Sequence, residues 1–347
     1  MGTGVVSRKF VQDLSILKDT ARVIASRDLG NAEQFVRDVA FNADATDYAS
    51  AAAHQDVDAV YIATPPSEHE AHALMAIASG KAVLIEKPFA IDASAARRIV
   101  NAASAAGVFC MEAMWTRFLP LIGDVRKKLS TDTIGEIRSF QGSFSGSDAP
   151  DVQVSLFDPA RGGGALLHRG IYPLSLARHF MGPIAEVTAK GRIGPTGVDE
   201  DCTLILRHQS GVMSTITASL RAPGRNDILI SGTRGMLHIK SPIFRPWRAE
   251  LSFTTPREAQ TGKGGKSSRI RENSTVQRLN QMLPDSLRGF LTKGERLHTP
   301  YSGNGYHYEA AETARCLAEG DLTSAIMPLS ESIEIMEVVD QARSQFA

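Results

Sequence analysis

The sequence is poor in cysteine, and its few cysteines are widely spread. Its 347 residues include three, Cys110, Cys202 and Cys316, an odd number with no two close together. A disulfide framework needs an even set and a zinc site needs close spacing, so neither is predicted. We therefore expect reduced thiols, no metal site and a cytoplasmic location.

The sequence also lacks an excess of charge and any long apolar run. Its 38 basic and 38 acidic residues give a formal net charge of zero. Such a balance offers no electrostatic reason for a nucleic-acid or anionic-membrane partner. No run of about 18 apolar residues occurs, as a membrane-spanning helix would need. Residues 1–17 hold glycine, serine and charged side chains where a signal peptide would have its apolar core. We expect neither nucleic acid nor membrane as a partner.

The composition is that of a globular protein, with 43% hydrophobic and 22% charged residues. The length suits two domains. In the first third, short apolar runs alternate with helical stretches. The predicted strands are 21–25, 59–64, 82–85 and 108–112, and the predicted helices are 31–40, 68–79 and 93–106. This alternation is typical of βαβ units, so it predicts an α/β Rossmann-type domain with a parallel sheet over residues 1–118.

The remaining two thirds follow a different pattern. After a helix at 120–129, longer alternating runs predict an α+β domain over residues 119–347 with a mostly antiparallel sheet. Its predicted strands are 138–144, 186–193, 203–207, 213–220 and 227–231, and a helical tail, broken near Pro328, covers 308–345. Residues 257–296 hold nine basic and four acidic residues. We interpret them as a solvated surface loop, with anion binding as the alternative.

A glycine-rich turn opens the chain. Gly2-Thr3-Gly4 precedes a predicted helix at 7–17, although Ser7 stands where a third glycine would be. Glycines before a helix let backbone amides approach a pyrophosphate, and the positive end of the helix favours the negative charge. The turn indicates a dinucleotide site at Gly2 and Gly4. Taken alone, such a turn is more often only a turn.

Ser26 and Arg27 follow the first predicted strand. At this place NAD-dependent enzymes carry an acidic residue that binds the ribose hydroxyls. Here a hydroxyl and a guanidinium stand instead, and a guanidinium holds a phosphate with a planar fork of donors. The pair therefore favours NADP over NAD. The alternative is a surface arginine at a strand end.

Two further strands end in short motifs that contain proline. Ala63-Thr64-Pro65-Pro66 ends the strand at 59–64 and is followed by His69, and Glu86-Lys87-Pro88 ends the strand at 82–85. Ligands of open α/β sheets bind at the carboxyl ends of strands. A lysine held there is able to exchange a proton with a substrate oxygen. Taken alone, the proline pair is a rigid loop, His69 is more often a helix-start capping residue than a ligand contact, and Lys87 is more often a solvent-exposed lysine.

Taken in order, these motifs resemble the glucose–fructose oxidoreductase/inositol dehydrogenase (Gfo/Idh/MocA) family. The resemblance covers essentially the whole chain, and Glu86-Lys87-Pro88 is its most specific mark. The segment Glu112-Ala-Met-Trp-Thr-Arg-Phe118 is part of the family pattern. Residues 111–120 look closest to the branch of dimeric dihydrodiol dehydrogenases and NADP-linked D-xylose dehydrogenases, and residues 162–172 match that branch with one change. Gly303-Asn304-Gly305-Tyr306 and Met327-Pro328-Leu329 fit that branch too.

The resemblance implies roles for individual residues. Lys87 and Tyr172 would form an acid–base pair, although a lone tyrosine is more often a core residue with a satisfied hydroxyl. Trp115 would line the pocket beside the nicotinamide, and Arg138 and Phe144 would be substrate-binding positions. The residues expected to bind the cofactor are Gly2, Gly4, Ser26, Arg27, Thr64, Pro65, His69, Glu86, Lys87, Trp115 and Arg117.

Two features depart from the family pattern. His168 stands where the family has aspartate, so a neutral acceptor or a cation replaces an anion beside Lys87 and Tyr172. We place His168 in the catalytic set and expect altered proton handling. The chain also begins at the glycine loop, without the apolar strand that normally precedes it. We expect the first strand of the sheet to be missing, and a start site placed too far downstream explains this most simply.

The expected activity is reversible hydride transfer between NADP and a secondary alcohol of a sugar or cyclic vicinal diol. By resemblance, the exposed face of the antiparallel sheet would form a homodimer. One alternative is a nicotinamide-assisted glycosidase, which causes no net oxidation and so would form no NADPH. The other is a non-catalytic or decayed NADP-binding protein, which His168 and the missing strand both support.

Overall fold

The computed structural model describes residues 1–18, 21–39, 42–254 and 294–346. Most of the basic segment interpreted as a surface loop, residues 257–293, lies outside these described residues. Within them, no helix combines the length and the apolar character needed to cross a membrane. The cytoplasmic location stays a prediction.

The first part of the chain alternates helices and strands. Its elements are α1 (Val5–Leu14), β1 (Val23–Ala25), α2 (Leu29–Val39), β2 (Asp44–Thr46), α3 (Tyr48–Ala53), β3 (Ala59–Ile62), α4 (His69–Ala78), β4 (Ala82–Glu86), α5 (Ala93–Ala106) and β5 (Cys110–Ala113). β1 and β2 pair in parallel, and β3, β4 and β5 form a second parallel set in that order. β4 is buried along its whole length, as in a sheet covered by helices on both faces. The predicted Rossmann-type architecture is confirmed.

The sequence signals at the ends of α5 show why these elements begin and end where they do. The side chain of Asp92 accepts the N–H of Ala95 at 2.7 Å and so caps the N-terminus. The helix ends at Gly107, whose φ of +63° is the left-handed conformation that glycine adopts without strain. Between these ends, small alanine side chains let α5 pack closely against its neighbours.

A cavity separates the two parallel sets of strands. Within the described residues β1 and β3 do not pair with each other, and Met1 and Gly2 lie between them. The N–H of Gly2 donates to the carbonyl oxygen of Ala25 at 2.9 Å, and that of Ala63 donates to Met1 at 2.9 Å. Beyond these bonds lies a cavity of about 1000 Å³ bounded by β1, β3 and α1. No strand in the described part of the chain fills this central position.

The second part of the chain is built on one large sheet. Its elements are α6 (Pro120–Ser130), β6 (Ile137–Ser145), α7 (Val154–Phe157), α8 (Ile171–Met181), β7 (Ile184–Ile193), β8 (Asp199–His208), β9 (Met213–Ser219), β10 (Ile228–Gly232), β11 (Gly235–Ile239), β12 (Arg248–Phe253), β13 (Gly294–His298), α9 (His307–Glu319) and α10 (Leu329–Arg343). The strand order is β13-β12-β11-β10-β6-β9-β8-β7. Every neighbouring pair is antiparallel except β6 and β9. The predicted antiparallel sheet is confirmed.

Helices join the large sheet to the first part of the chain. The inner face of the sheet buries Phe140, Leu204, Ile216 and Ile230 completely. α8 packs on β6, while α10 packs on β7 and also on α5. The helical turn Trp115–Phe118 leads from β5 towards α6. A cleft lies where these two parts of the chain meet. The domain boundary after residue 118 stays a prediction.

Candidate active site

The glycine loop lies at the N-terminus of α1. Gly2 has a φ of +97°, and a Cβ there would lie 2.6 Å from the carbonyl oxygen of Ala63, so only glycine fits. Gly4 immediately precedes α1, and no described atom lies within 4 Å of the place its Cβ would take. A tight turn, an open approach and a helix N-terminus together fit a pyrophosphate. Gly2 and Gly4 stay predictions as cofactor contacts.

Ser26 and Arg27 have different surroundings at the end of β1. Ser26 is buried and its Oγ accepts the N–H of Asp28 at 3.3 Å, whereas Arg27 is exposed. The carboxylate of Asp28 accepts the N–H of Gly30 at 2.8 Å in the first turn of α2. The nearby carboxylate of Asp28 is thus engaged with the helix, and the cofactor contacts expected of Ser26 and Arg27 stay predictions.

His69 is buried between the loops that follow β3 and β4. Its Nδ1 lies 2.9 Å from the carbonyl oxygen of Pro88, and its Nε2 lies 2.8 Å from that of Thr64. Burial lowers the pKa of His69 to about 4, so the ring is neutral at neutral pH. The side chain of His69 is only 1% exposed, and its expected contact with the cofactor stays a prediction. The neutral ring has a single N–H, so it donates to only one of these two carbonyl oxygens. Thr64 and Pro65 stay predictions as cofactor contacts.

Lys87 follows β4 and extends towards the second part of the chain. Its Nζ donates to the carbonyl oxygen of His168 at 3.4 Å and lies 4.7 Å from the centre of the Tyr172 ring. The preceding residue, Glu86, is buried, and burial raises its pKa. Its carboxylate accepts the Tyr61 hydroxyl at 2.5 Å and the Lys87 N–H at 3.1 Å. Glu86 therefore holds the loop of Lys87, and its expected contact with the cofactor stays a prediction.

Tyr172 lies in the first turn of α8 and faces several aromatic rings. Trp115 donates from Nε1 to the Tyr172 hydroxyl at 3.4 Å, and the ring of Phe144 meets Tyr172 edge-on at 5.4 Å. Trp115 in turn stacks on Tyr306, with ring centres 4.6 Å apart. The structure thus brings Lys87, Tyr172, Trp115 and Phe144 together.

His168 lies in a π-helical turn, Leu166–Gly170, that leads into α8. Its Nε2 is 3.1 Å from the carbonyl oxygen of Gly162, where a neutral ring donates its proton. Burial, followed by the charge of Lys87, lowers the pKa of His168 to about 3. His168 is therefore a neutral neighbour of Lys87, unlike the anion of the family pattern. Its catalytic role stays a prediction.

A cavity of about 330 Å³ lies in front of Lys87 and Tyr172. It is lined by Lys9, Lys87, Trp115, Phe144, Leu156, His168, Arg169, Tyr172, Phe244, Arg245, Asn304 and Tyr306. Arg169, Asn304 and Tyr306 have no predicted role, although they lie inside the motifs that carry the family resemblance. No sequence motif marks Lys9, Leu156, Phe244 and Arg245 as residues of the site.

Arg117, expected at the cofactor, lies in the interior instead. Its side chain is fully buried and forms an ion pair with Glu331 on α10, with Nη1 2.5 Å from the carboxylate. Its Nε and Nη2 donate to the side chain and backbone of Ser175 at 2.8 and 2.7 Å. With its donors engaged in this way, Arg117 joins three elements and does not reach the cleft.

Arg138, expected in the substrate pocket, lies on the surface. Its side chain is 67% exposed and pairs with Glu136 at 2.7 Å. Six residues of extended strand, or about 20 Å, separate it from Phe144 at the other end of β6. Only Phe144 of this expected pair lines the cavity.

A carboxyl group lies buried in the protein interior on α9. Glu309 is fully buried, and neither of its side-chain oxygens has a hydrogen-bond partner in the described part of the chain. Burial, and then the charges of Glu86 and Glu112, raise the pKa of Glu309 well above its ordinary value of 4.5. Glu309 is therefore protonated in the folded protein at pH values that ionise it in the unfolded chain.

This raised pKa predicts stability that falls as pH rises. Above about pH 5 the unfolded chain loses the Glu309 proton while the folded protein keeps it, so the free energy of unfolding decreases. Glu309→Gln should flatten this slope and be the more stable protein at about pH 8, by roughly 1–3 kcal/mol. Urea denaturation across that pH range measures the slope. Glu319→Gln, exposed on the same helix, is the matched control, and a Glu309→Gln slope equal to that of the wild type would contradict the prediction.

Fold and cleft together define a class of protein. A Rossmann-type sheet, a glycine loop at a helix N-terminus and a Lys–Tyr pair in the adjoining cleft are the parts of a nicotinamide-dependent oxidoreductase. Residues 1–114 match a family described as oxidoreductases with an NAD-binding Rossmann fold, and residues 122–238 match the GFO/IDH/MocA C-terminal domain. The chain belongs to the GFO/IDH/MocA family and is an enzyme. The resemblance inferred from its motifs is confirmed.

Relatives match the chain over nearly its full length. It is 30% identical to the trans-1,2-dihydrobenzene-1,2-diol dehydrogenase of Sus scrofa, covering 99% of this chain and 94% of the relative. It is also 30% identical to the D-xylose 1-dehydrogenase (NADP(+)) of Hypocrea jecorina, covering 99% and 90%.

Solved structures share the fold. Levoglucosan dehydrogenase in complex with NADH and levoglucosan has a TM-score of 0.81 at 19% identity, covering 99% of this chain and 95% of its own. A 3-ketoreductase from Actinomadura kijaniata, in complex with NADP and TDP-benzene, has a TM-score of 0.78 at 22% identity, covering 99% and 96%. At these identities the likeness shows the fold alone.

Proposed function

We propose that this enzyme transfers a hydride between NADP and a secondary alcohol carbon of a sugar or cyclic vicinal diol. The observation that carries the proposal is the meeting of Lys87, Tyr172 and Trp115 in one cavity at the carboxyl end of β4. The nicotinamide, when bound, supplies or accepts the hydride. The glycine loop, with its open approach at Gly4, fits the cofactor pyrophosphate.

Lys87 and Tyr172 manage the proton of the substrate alcohol. In oxidation one of them accepts this proton, and in reduction the same group returns it to the carbonyl oxygen. The Lys87 ammonium over the ring and the Trp115 N–H at the hydroxyl stabilise negative charge that develops on the Tyr172 oxygen. His168 is neutral and adds no charge of its own.

NADP is the preferred cofactor in this proposal. Arg27 is exposed at the end of β1, while the nearby carboxylate of Asp28 is engaged with α2. A guanidinium there binds a 2′-phosphate through charge-assisted hydrogen bonds. The relative from Hypocrea jecorina, whose name specifies NADP(+), supports this preference.

Arg27→Ala is expected to weaken NADP binding about tenfold to a hundredfold and to leave NAD binding nearly unchanged. The reason is that charge-assisted hydrogen bonds are worth roughly 1.5–3 kcal/mol, and only NADP has the phosphate that makes them. Fluorescence titration of both reduced nucleotides measures the effect. Arg22→Ala, another exposed arginine just before β1, is the matched control. Equal losses for NADP and NAD, or tighter NAD binding by the wild type, would reject the NADP preference.

The substrate class rests on the shape of the cavity and on the relatives. Five aromatic rings line it, those of Trp115, Phe144, Tyr172, Phe244 and Tyr306. Its volume of about 330 Å³ is near the small end of ligand pockets, as a single sugar or diol ring requires. The relatives are named as a dihydrodiol dehydrogenase and a xylose dehydrogenase.

A panel of sugars and cyclic diols tests this function. With NADP present, at least one member should produce NADPH, measured by its absorbance. Tight NADP binding with no reduction by any member would favour the non-catalytic alternative. Cleavage of a glycoside with no net formation of NADPH would favour the glycosidase.

A homodimer through the outer face of the large sheet completes the proposal. The strand registers place Ile205, Met213 and Met236 on this face. Each of these side chains is at least 40% exposed. Large apolar side chains exposed together on a sheet favour association. Sedimentation in solution tests the proposal, and a monomer would contradict it.

A further inference from the structure

The cavity in front of Lys87 is lined by charges of one sign. Four of its lining side chains, Lys9, Lys87, Arg169 and Arg245, are cationic at neutral pH, and none of the described lining residues is a carboxylate. Sugar hydroxyls both donate and accept hydrogen bonds, while lysine and arginine only donate. A cavity walled by cations raises the local concentration of anions. Its electrostatics therefore fit a ligand with a negative charge.

Two of these cations flank a stacked pair of rings in the cavity wall. Phe144 and Phe244 stack with centres 5.4 Å apart and planes 17° apart. Arg169 lies over Phe144, with its Cζ 5.6 Å from the ring centre, and Arg245 lies over Phe244 at 5.7 Å. The same pair of rings meets Tyr172 at 5.4 and 6.4 Å. This wall thus carries a guanidinium on each ring of the pair and has the proposed acid–base residue beside it.

Arg169 is held in place before any ligand binds. Its Nη1 donates to the carbonyl oxygen of Ser219 at 2.6 Å, and its Nη2 forms an ion pair with Asp148. A Cβ on Gly146 would lie 2.5 Å from Nη1, so glycine at this position makes room for the guanidinium. An arginine has five N–H donors, and these contacts use two of them. A fixed guanidinium with donors to spare suits a planar or tetrahedral anion.

Arg169 and Arg245 lie in a different part of the fold from the residues proposed to contact the cofactor. Gly2, Gly4 and Arg27, proposed to hold the cofactor phosphates, precede or follow β1. Arg169 and Arg245 belong to the second part of the chain, on the π-helical turn before α8 and on the segment between β11 and β12. Their charges are therefore available to the substrate.

We propose that the substrate is an anionic sugar, whose carboxylate or phosphate group binds Arg169 and Arg245 while its reacting hydroxyl lies at Lys87 and Tyr172. The inference rests on the proposed function and narrows it. A sugar acid is the favoured form, because a carboxylate matches the guanidinium fork and adds little volume in a cavity of about 330 Å³.

The first test compares matched pairs of ligands in the presence of NADP. Each neutral sugar is paired with its acid, for example D-glucose with D-glucuronate and D-galactose with D-galacturonate, and D-glucose 6-phosphate forms the phosphate arm. Melting temperature reports binding without requiring turnover. We expect at least one acid or phosphate to raise it well above its neutral partner, and to bind about tenfold to a hundredfold more tightly. No anion exceeding its neutral partner would overturn the inference.

The second test asks whether the preference for an anion depends on Arg245 in the cavity wall. Arg245→Met should lower kcat/KM for the preferred anion about tenfold more than for its neutral partner. Arg245→Lys should recover part of the loss. Arg248→Met is the matched control, because Arg248 also lies over an aromatic ring, Trp247 at 5.2 Å, but does not line the cavity. Arg245 is exposed, so its replacement should not unfold the protein, unlike that of Arg169.

The outcomes of the two tests separate the inference from the proposed function. Turnover of neutral sugars with no preference for their anions would overturn the inference and leave the function standing. An equal loss for the anion and its neutral partner in Arg245→Met would also overturn it. No hydride transfer with any member of the panel would instead reject the proposed function.

Discussion

Lys87→Met is expected to lower turnover by about 10²–10⁴-fold, the usual contribution of an acid–base group. Methionine keeps the apolar stem of the side chain and removes the ammonium that lies 4.7 Å from the Tyr172 ring. The glycine loop and the end of β1 are untouched, so NADP should still bind. Steady-state kinetics and a cofactor titration on the same preparation separate these two effects.

Lys81→Met is the matched control for this prediction. Lys81 precedes β4 and Lys87 follows it, so the same substitution is made at the two ends of one strand. The Nζ of Lys81 donates to the carbonyl oxygen of His54 at 2.8 Å, outside the residues that line the active-site cavity. Its replacement should leave turnover nearly intact. Turnover like that of the wild type in Lys87→Met would remove this residue from the mechanism.

Adding a strand to the central cavity of the first part is expected to raise stability by several kcal/mol. The cavity of about 1000 Å³ lies between β1 and β3, and an N-terminal extension of five valine and isoleucine residues would pair with both. Burying each side chain contributes roughly 1.5–3 kcal/mol, and ordering each residue costs roughly 1–2 kcal/mol. The expected net gain is about 2–5 kcal/mol, which should raise the melting temperature by several degrees.

The extension should also tighten NADP binding, because Gly2 and Gly4 would then follow a strand paired on both sides, which would hold the glycine loop in place. An extension of five glycine and serine residues is the matched control, since it has the same length but no apolar side chains to bury. Calorimetry and cofactor titration compare the two extended proteins. Equal melting temperatures for the two would contradict the account of the cavity.

The local sequence pattern predicts the helices and strands with a clear hydrophobic period or apolar run. It does not predict those that depend on distant partners. The uninterrupted apolar run of β4 and the capped, alanine-rich α5 were both recognised. β11 and β12 were not, because they are short and each is stabilised by its neighbours in the sheet, β10 and β13 among them. β2, three residues with little apolar character, gave no periodic signal either.

At the active site too, the local sequence pattern does not predict what depends on distant partners, here the direction of side chains. The motifs located Lys87, Tyr172, Trp115 and Phe144, but they did not show which neighbouring residues turn inward. Arg117 lies in a motif beside the cleft, yet its partner Glu331 comes 214 residues later in the chain. Long-range packing of this kind decides the direction of a side chain, and a sequence motif does not record it.

Transfer of deuterium tests the central claim most directly. A sugar deuterated at its reacting carbinol carbon is incubated with NADP and the wild-type enzyme, and the nucleotide is then analysed by mass spectrometry. The account predicts NADPH that carries one deuterium, at a rate that Lys87→Met lowers by about 10²–10⁴-fold. No deuterium in the nucleotide, with any sugar or diol of the panel, would contradict hydride transfer at this site.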